Sequence, residues 1–413
     1  MLIDFSFYNF KSFAERTEFS MVADDKEAKS YFNAEKFKLL KTAAIYGPNA
    51  GGKSNLFKAF KFYIYLILNS ANFGFEIPDE KFKLNKKYID EPMIFEGRFI
   101  IDKIYYRYGF SIKDRKIESE WLYYRPKGRE ARIFERDWQE FKRGKFSEGK
   151  GVEEKTKANT LFLSSLAQWN SKTAIKIVEF FQKINFISTD FPVVITLDLM
   201  EKGVVNKDEI LNMLKNADMG INDFRNERIE IRTDEKVALT PQNMGIISVN
   251  NEKLYSNKLI TYHPVFDEKN NYIENIEFDF LKEESDGTKK YFGILGPVLA
   301  TLKNGSILFI DELDTRIHPL LLRTIIELFN SEKNEKNAQL IFTTHNTLIL
   351  NPELFSRDQI WFVSKDKYGK SELYSLLEIK GVRKNANFEK DYLKGKYGAI
   401  PYLKKILKGF DLK

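Results

Sequence analysis

The sequence contains no cysteine, which excludes disulfide cross-links and zinc–thiolate sites together. Histidine is almost as scarce. His263, His318 and His345 are the only ones, and no two are spaced as a ligand pair, so a zinc site is not expected. Long apolar runs are missing as well: the most apolar stretch, FYIYLIL, falls far short of the roughly 20 residues that cross a bilayer. The opening MLIDFSFYNFKSF alternates as a strand does and lacks the continuous apolar core of a secretory signal, so a cytoplasmic protein without a membrane partner is expected. Nor is one sign of charge in large excess. The 66 basic and 59 acidic residues leave a net +7, which permits contact with nucleic acid without arguing for it.

What the chain has is length and hydrophobic content. Its 413 residues exceed a typical single domain and suggest a large core with an inserted lobe. With 43% hydrophobic and 30% charged residues it reads as globular rather than disordered. Phe and Tyr are plentiful alongside Lys, Ile and Asn, a bias that an A/T-rich genome explains more simply than an aromatic platform for bases.

The periodicity organises the chain coarsely. LIDFSFYNF, TEFSMVA and LLKTAAIY read as short strands, the last running into GPNAGGKS, after which Leu56, Phe57, Phe60, Ile64 and Ile67 recur at helical spacing. MIFEGRFII, YYRYGFSI and ESEWLYYR read as an antiparallel meander, and the charge-dense residues 125–150 as a solvated loop or hairpin. Residues 170–245 look mostly helical, as in SKTAIKIVEFFQKI and KDEILNMLKNA. The last third alternates SILFI, QLIFTT and QIWFVSK with helical segments, the rhythm of a parallel sheet covered by helices. The Lys-rich tail beyond Lys380 reads as a solvated face. These patterns divide the chain into residues 1–75, 76–165 (the meander), 166–255 (the helical lobe) and 256–413.

GPNAGGKS, residues 47–54, fits G-x-x-x-x-G-K-[ST] and lies between an apolar strand and a helix, where that loop must lie. Gly47, Gly51 and Gly52 let backbone N–H groups turn toward phosphate oxygens, and the following helix adds its dipole. Lys53 should reach the β- and γ-phosphates and the Ser54 hydroxyl should hold Mg²⁺, with Asn49 and Asn55 completing the nucleotide contacts. In SILFIDELD, Asp311 and Glu312 directly follow a buried strand, a costly placement unless they face a site at the sheet edge. Asp311 suits the second Mg²⁺ partner and Glu312 the general base that polarises the attacking water. His345, at the end of the next buried strand in IFTTHN, suits a γ-phosphate sensor, with Thr343 and Thr344 as structural neighbours. Gln168 in LFLSSLAQWN suits either a Mg²⁺ or water contact or an ordinary surface amide. In ESDGT, Ser285 is a natural helix N-cap, and Gly287 would let backbone approach a ligand closely.

Taken together, GPNAGGKS, ESDGT, FIDELDTRIHP and TTHN occur in the order found in ABC-type ATPases of the SMC, RecF and OLD kind, and the chain resembles that family over most of its length. NFKSF resembles the RecF-type opening. WFVSKDKYGKSELYSL and YLKGKYGAIPYL are most similar to the RloA-like, OLD-like ATPases of prokaryotic antiphage and abortive-infection systems. The resemblance implies an α/β fold: an ABC-ATPase head with a mixed, largely parallel sheet, an antiparallel β subdomain and an inserted helical lobe. It implies ATP and Mg²⁺ as cofactors, and a homodimer that sandwiches two ATPs, with higher oligomers compatible. In it Ser285 and Gly287 contact the ATP of the other subunit, residues 314–318 form the D-loop, His345 is the switch histidine and Gln168 the Q-loop residue. The signature reads Ser-Asp-Gly-Thr, not the Ser-Gly-Gly-Gln of transporters, and the insertion is too compact for an SMC coiled coil. The expected function is that of an ATPase that senses a phage-derived trigger and regulates a separate toxic, Toprim-nuclease-like effector; this chain itself carries no nuclease motif. The alternative is a RecF-like DNA-repair clamp that binds DNA in its ATP state.

Overall fold

A computed structural model describes residues 1–26, 28–188, 192–231, 246–250 and 253–401. The chain divides into two compact units, one comprising Met1–Phe186, Gly305–Glu312 and Ile326–Lys413, the other Ile187–Asn304 and Leu313–Ile325.

The first unit is built on two sheets. One has seven strands, β1 (Leu2–Tyr8), β2 (Thr17–Ser20), β6 (Met93–Ile101), β7 (Ile104–Lys113), β8 (Lys116–Lys127), β9 (Arg129–Asp137) and β10 (Glu140–Arg143), in the order β10-β9-β8-β7-β6-β1-β2. Every pairing in it is antiparallel, so the expected meander is present, and the charge-dense residues 125–150 supply the β9–β10 hairpin. A small hairpin, β3 (Tyr31–Ala34) and β4 (Phe37–Leu40), leads into β5 (Thr42–Tyr46).

The other sheet has the order β11-β16-β17-β5-β18-β19, from β11 (Asn185–Ile187), β16 (Ile307–Ile310), β17 (Gln339–Thr343), β5, β18 (Ile360–Lys365) and β19 (Ser371–Ser375). β16, β17, β5 and β18 run parallel, and β19 returns antiparallel. The central strands β16, β17 and β5 are buried throughout, as parallel strands covered on both faces must be.

Helix α1 (Lys53–Asn69) lies in the core between the two sheets. Its apolar residues cover more than one face, which fits a helix packed on both sides rather than a surface helix. Phe60 meets Phe5 of β1 at 3.9 Å between ring centroids and Phe309 of β16 at 4.7 Å. Tyr63 stacks on Phe110 of β7 and donates its hydroxyl to the Tyr108 carbonyl over 3.0 Å. The short helices α2 (Phe162–Gln168) and α3 (Lys172–Gln182) join this core. Buried Glu120 accepts the Phe162 and Leu163 N–H groups at 2.6 and 2.9 Å, capping α2 in place of a local side chain, and is paired with buried Arg136 at 3.6 Å. Burial pushes the Glu120 pKa up and the Arg136 pKa down, each partner and the two N–H donors opposing that cost.

The second unit contains α4 (Pro192–Glu201), α5 (Lys207–Asn216), β12 (Asp223–Ile231), β13 (Ile246–Asn250), β14 (Lys253–Phe266), β15 (Tyr272–Asp279), α6 (Phe280–Glu283), α7 (Asp286–Asn304) and the beginning of α8 (Pro319–Asn330). The strands form an antiparallel sheet around β14. On α7, a Cβ at Gly296 would come 2.5 Å from the Thr196 hydroxyl, so glycine permits the close approach of α4. Thr196 donates to the Gly293 carbonyl at 2.6 Å and accepts from the Gly296 N–H at 3.2 Å.

The stretch expected to be mostly helical changes character after α5. RIEI at the end of β12 alternates polar and apolar residues, the strand period, and the strand pairs along its length with β14. Residues 232–245 of that expected lobe lie outside the described residues. The tail also departs from a solvated face. Helix α9 (Phe388–Leu393) and the turn after it bury Phe388, Tyr392 and Tyr397, and Phe362 of β18 is an aromatic partner of the two tyrosines. Its last residues, 402–413, lie outside the described residues. Among the described residues, no helix is long and apolar enough to cross a membrane.

Candidate active site

The parallel strands finish together. Ile310 of β16 pairs with Phe342 of β17, Thr343 pairs with Ile45 of β5, and Tyr46 with Phe362 of β18. Whatever follows each strand is therefore delivered to the same carboxyl edge, where open α/β sheets bind ligands. Gly47–Ser54 follows β5, Asp311 and Glu312 follow β16, and Thr344 and His345 follow β17.

The loop after β5 is shaped by contacts that exclude side chains. A Cβ on Gly47 would collide with the Val363 carbonyl of β18, and one on Gly52, whose φ is +125°, would come 2.5 Å from the Ser371 hydroxyl. Ala50 holds a φ of +60°, in the left-handed region. The Lys53 ammonium folds back over the loop and donates to the carbonyls of Gly47 at 2.8 Å and Pro48 at 3.2 Å. No side chain caps the N-terminus of α1. The helix dipole there favours a phosphate.

Two serines brace this loop from behind. The Ser371 hydroxyl donates to the Gly51 carbonyl at 2.6 Å and lies 2.8 Å from Ser12 Oγ, which in turn accepts from the Asn55 amide at 2.8 Å. Asn55, expected at the nucleotide, is thus tied to the NFKSF segment. Neither Ser12 nor Ser371, the first residue of β19, stood out in the sequence, since a single serine carries no pattern of its own.

Asp311 and Glu312 are joined through the next strand. The Thr343 hydroxyl donates to Asp311 Oδ1 at 2.6 Å and accepts the Glu312 N–H at 2.7 Å. Glu312 has a φ of +51°, a strained conformation for a residue with a long side chain and of the kind that collects at functional sites.

A cleft of about 1280 Å³ opens over this edge, lined by Gly47, Asn49, Gly51 and His345 together with Lys365, Tyr374 and Tyr392. It is roomy enough for a nucleoside triphosphate, since ligand pockets run to about 300–1,000 Å³. Its far wall comes from the tail. Tyr392 stacks on Phe362 at 5.4 Å and donates to the Ala399 carbonyl at 2.9 Å, and burial pushes its phenol up to about 12, so it stays neutral. Tyr374 donates to the Tyr397 carbonyl at 2.8 Å.

Gln168 is not brought to this edge. It ends α2 and donates to the Ala71 carbonyl, just past the C-terminal end of α1, whereas Lys53 and Ser54 begin that helix. The 17 residues of α1 separate them by about 25 Å at 1.5 Å per residue. The expectation that Gln168 contacts Mg²⁺ is therefore corrected: the apolar run before it is a buried helix of the core, not a strand leading to the site.

Ser285 and Gly287 lie in the second unit, at the start of α7. The Ser285 hydroxyl caps the helix by accepting the Thr288 N–H at 3.1 Å, and Gly287 lies against residue 316, whose carbonyl would be 2.9 Å from a Cβ at that position.

The residues present fit a nucleotide with Mg²⁺. Among the described residues no cluster of three or more His, Cys, Asp or Glu side chains could hold a metal by itself. That suits Mg²⁺, which takes one or two protein ligands and completes its shell with phosphate oxygens and water.

A strand, glycine-rich loop and helix on a parallel sheet, with an acidic pair delivered to the same edge, define a P-loop nucleotide-binding domain. The family model described as "AAA domain, putative AbiEii toxin, Type IV TA system" matches residues 43–185 and 200–351, and the chain belongs to that family as an ATPase domain. No curated protein matches it. Solved structures to which it is similar include an SMC head domain from Thermotoga maritima, at 13% identity and a TM-score of 0.41, covering 91% of this chain and 98% of that one. An Smc head bound to the C-winged helix domain of ScpA has 13% identity and a TM-score of 0.45, covering 91% and 97%. An Smc head with an extended coiled coil, bound to the C-terminal domain of ScpA derived from Pyrococcus furiosus, has 13% identity and a TM-score of 0.43, covering 91% and 96%.

Proposed function

We propose that this protein hydrolyses ATP in a homodimer that sandwiches two nucleotides, and that its ATP state controls a separate toxic effector in antiphage defence. The observation that carries the hydrolytic reading is the shared edge: the P-loop and His345 line one cleft, and Thr343 ties Asp311 to the backbone of Glu312. Lys53 exchanges its two loop carbonyls for phosphate oxygens, a gain because a charge-assisted bond to an anion is stronger than one to a neutral carbonyl. Ser54 and Asp311 would hold Mg²⁺, which when bound neutralises charge on the phosphates. Glu312 orients and polarises the attacking water, and His345 senses the terminal phosphate.

The composite site is supported by Ser285 and Gly287, a capped helix start whose glycine leaves room for the Arg316 carbonyl, and the defence role by the family description, which names a putative toxin of a type IV system. For the DNA-clamp reading, three arginines of the charge-dense segment, Arg132, Arg136 and Arg143, are already paired with Glu135, Glu120 and Glu153.

Glu312→Gln tests this function. It should bind ATP, dimerise on adding it, and turn over at least about 100-fold more slowly than wild type. Captured from its native cells with ATP held high, it should bring down a stoichiometric effector protein. Hydrolysis at the parental rate would overturn the role of Glu312, and recovery of nuclease-sensitive DNA without a protein would favour the repair clamp.

A further inference from the structure

Ser371 opens β19, yet its hydroxyl reaches the loop after β5. It donates to the Gly51 carbonyl at 2.6 Å, and the backbone N–H of the same residue donates to the Ser12 carbonyl at 2.7 Å. Ser12 and Ser371 are both buried. A serine hydroxyl has one proton to give. That of Ser371 goes to Gly51, so the 2.8 Å contact between the two hydroxyls is made with the Ser12 proton, and Ser12 in turn accepts from the Asn55 amide at 2.8 Å. The donors therefore run in one direction, from the first turn of α1 through Ser12 and Ser371 to Gly51. In such a chain each bond polarises the next.

The end of this relay fixes a peptide plane. In a trans peptide the carbonyl oxygen and the following N–H point in opposite directions. Holding the Gly51 carbonyl toward β19 thus turns the Gly52 N–H away from β19. A Cβ on Gly52 would come 2.5 Å from Ser371 Oγ, so glycine at this position is what lets the hydroxyl in. We propose that Ser371 is a positioning residue for nucleotide binding: through the Gly51 carbonyl it aims the Gly52 N–H at the β-phosphate of ATP or ADP. The proposal rests on the P-loop reading of residues 47–54 and adds a support from outside that loop. Ser371 itself touches no phosphate and exchanges no proton with the substrate.

Calorimetric titration of the full-length protein with ADP and Mg²⁺ tests this, together with competition by pyrophosphate, which carries two phosphates without the nucleoside. Ser371→Ala should weaken ADP binding about 5- to 10-fold and pyrophosphate binding by the same factor, as expected for one lost hydrogen bond. Lys53→Ala, the reference, should weaken both by more. Ser371→Thr keeps the hydroxyl and should recover most of the loss. Ser371→Cys fills the space with a weaker donor, so it poses the same question without a cavity and should fall between wild type and Ser371→Ala. If the alanine and cysteine variants bind both ligands as tightly as wild type while Lys53→Ala does not, the proposal fails and the P-loop reading stands. Weakened ADP binding with pyrophosphate unaffected also overturns the proposal, because the effect then lies at the nucleoside. If Lys53→Ala leaves both affinities unchanged, the P-loop reading fails and the proposal with it.

Discussion

Thr343 holds Asp311 and Glu312 at once, giving its hydroxyl proton to the Asp311 carboxylate and taking the N–H of Glu312. Thr343→Val keeps the shape and removes both bonds. It should lower kcat about 10- to 100-fold with little change in KM, and cost about 1–3 kcal/mol of stability for the buried groups left unpaired. Thr343→Ser should restore most of both. Steady-state kinetics and a denaturant melt on the three proteins check this.

Lys53 donates to the carbonyls of Gly47 and Pro48, and the Pro48 carbonyl also accepts the Gly51 N–H. Lys53→Ala should therefore leave the melting temperature nearly unchanged while weakening ATP binding more than about 10-fold, a loss above 1.4 kcal/mol. Titration calorimetry with ATP and Mg²⁺ measures it. Chelating Mg²⁺ from the wild-type protein should abolish turnover.

Gln168 lies at the far end of α1 from the P-loop. Gln168→Ala should leave kcat, KM and the Mg²⁺ dependence of turnover within about twofold of wild type, as expected for a surface substitution. A selective loss of kcat or a raised Mg²⁺ requirement would return this residue to the site.

Glu120 caps α2 and faces Arg136 inside the first unit. Removing one partner of a buried pair leaves the other charge uncompensated, so Glu120→Ala should destabilise the protein by about 3–5 kcal/mol. A chemical-denaturation curve reads this directly, and Arg136→Met with Glu120→Gln should cost less than Glu120→Ala alone.

The parts of the site that depend on backbone shape were legible from the sequence. Gly47, Gly51 and Gly52 between a strand and a helix, or Asp311 after ILFI, are local patterns, and the parallel sheet then brings their ends to one edge. Gln168 misled because a short apolar run reads alike as strand or buried helix, and only the packing of LFLSSLAQ against α1 decides between them. Strand β12 was missed where charged residues alternate with isoleucines amid helical neighbours. The Ser12–Ser371 bond was beyond reach because it joins residues 359 positions apart, and periodicity leaves no trace of such a contact; the tail wall at Tyr392 likewise faces Gly47 only through the fold.

The sheet beneath the P-loop has a consequence for how the protein is made. Strand β5 carries the loop, yet its neighbours β17 and β18 arrive late: Thr42 pairs with Leu340 and Tyr46 with Phe362. While the ribosome is synthesising the intervening residues, about 300 of them, β5 and the apolar α1 must wait without their final partners, a high contact order that slows folding. A nascent chain cut short before residue 360 lacks β18, the strand that pairs with β5 directly before the P-loop. The sheet edge that carries the P-loop is therefore completed only after most of the chain has been made.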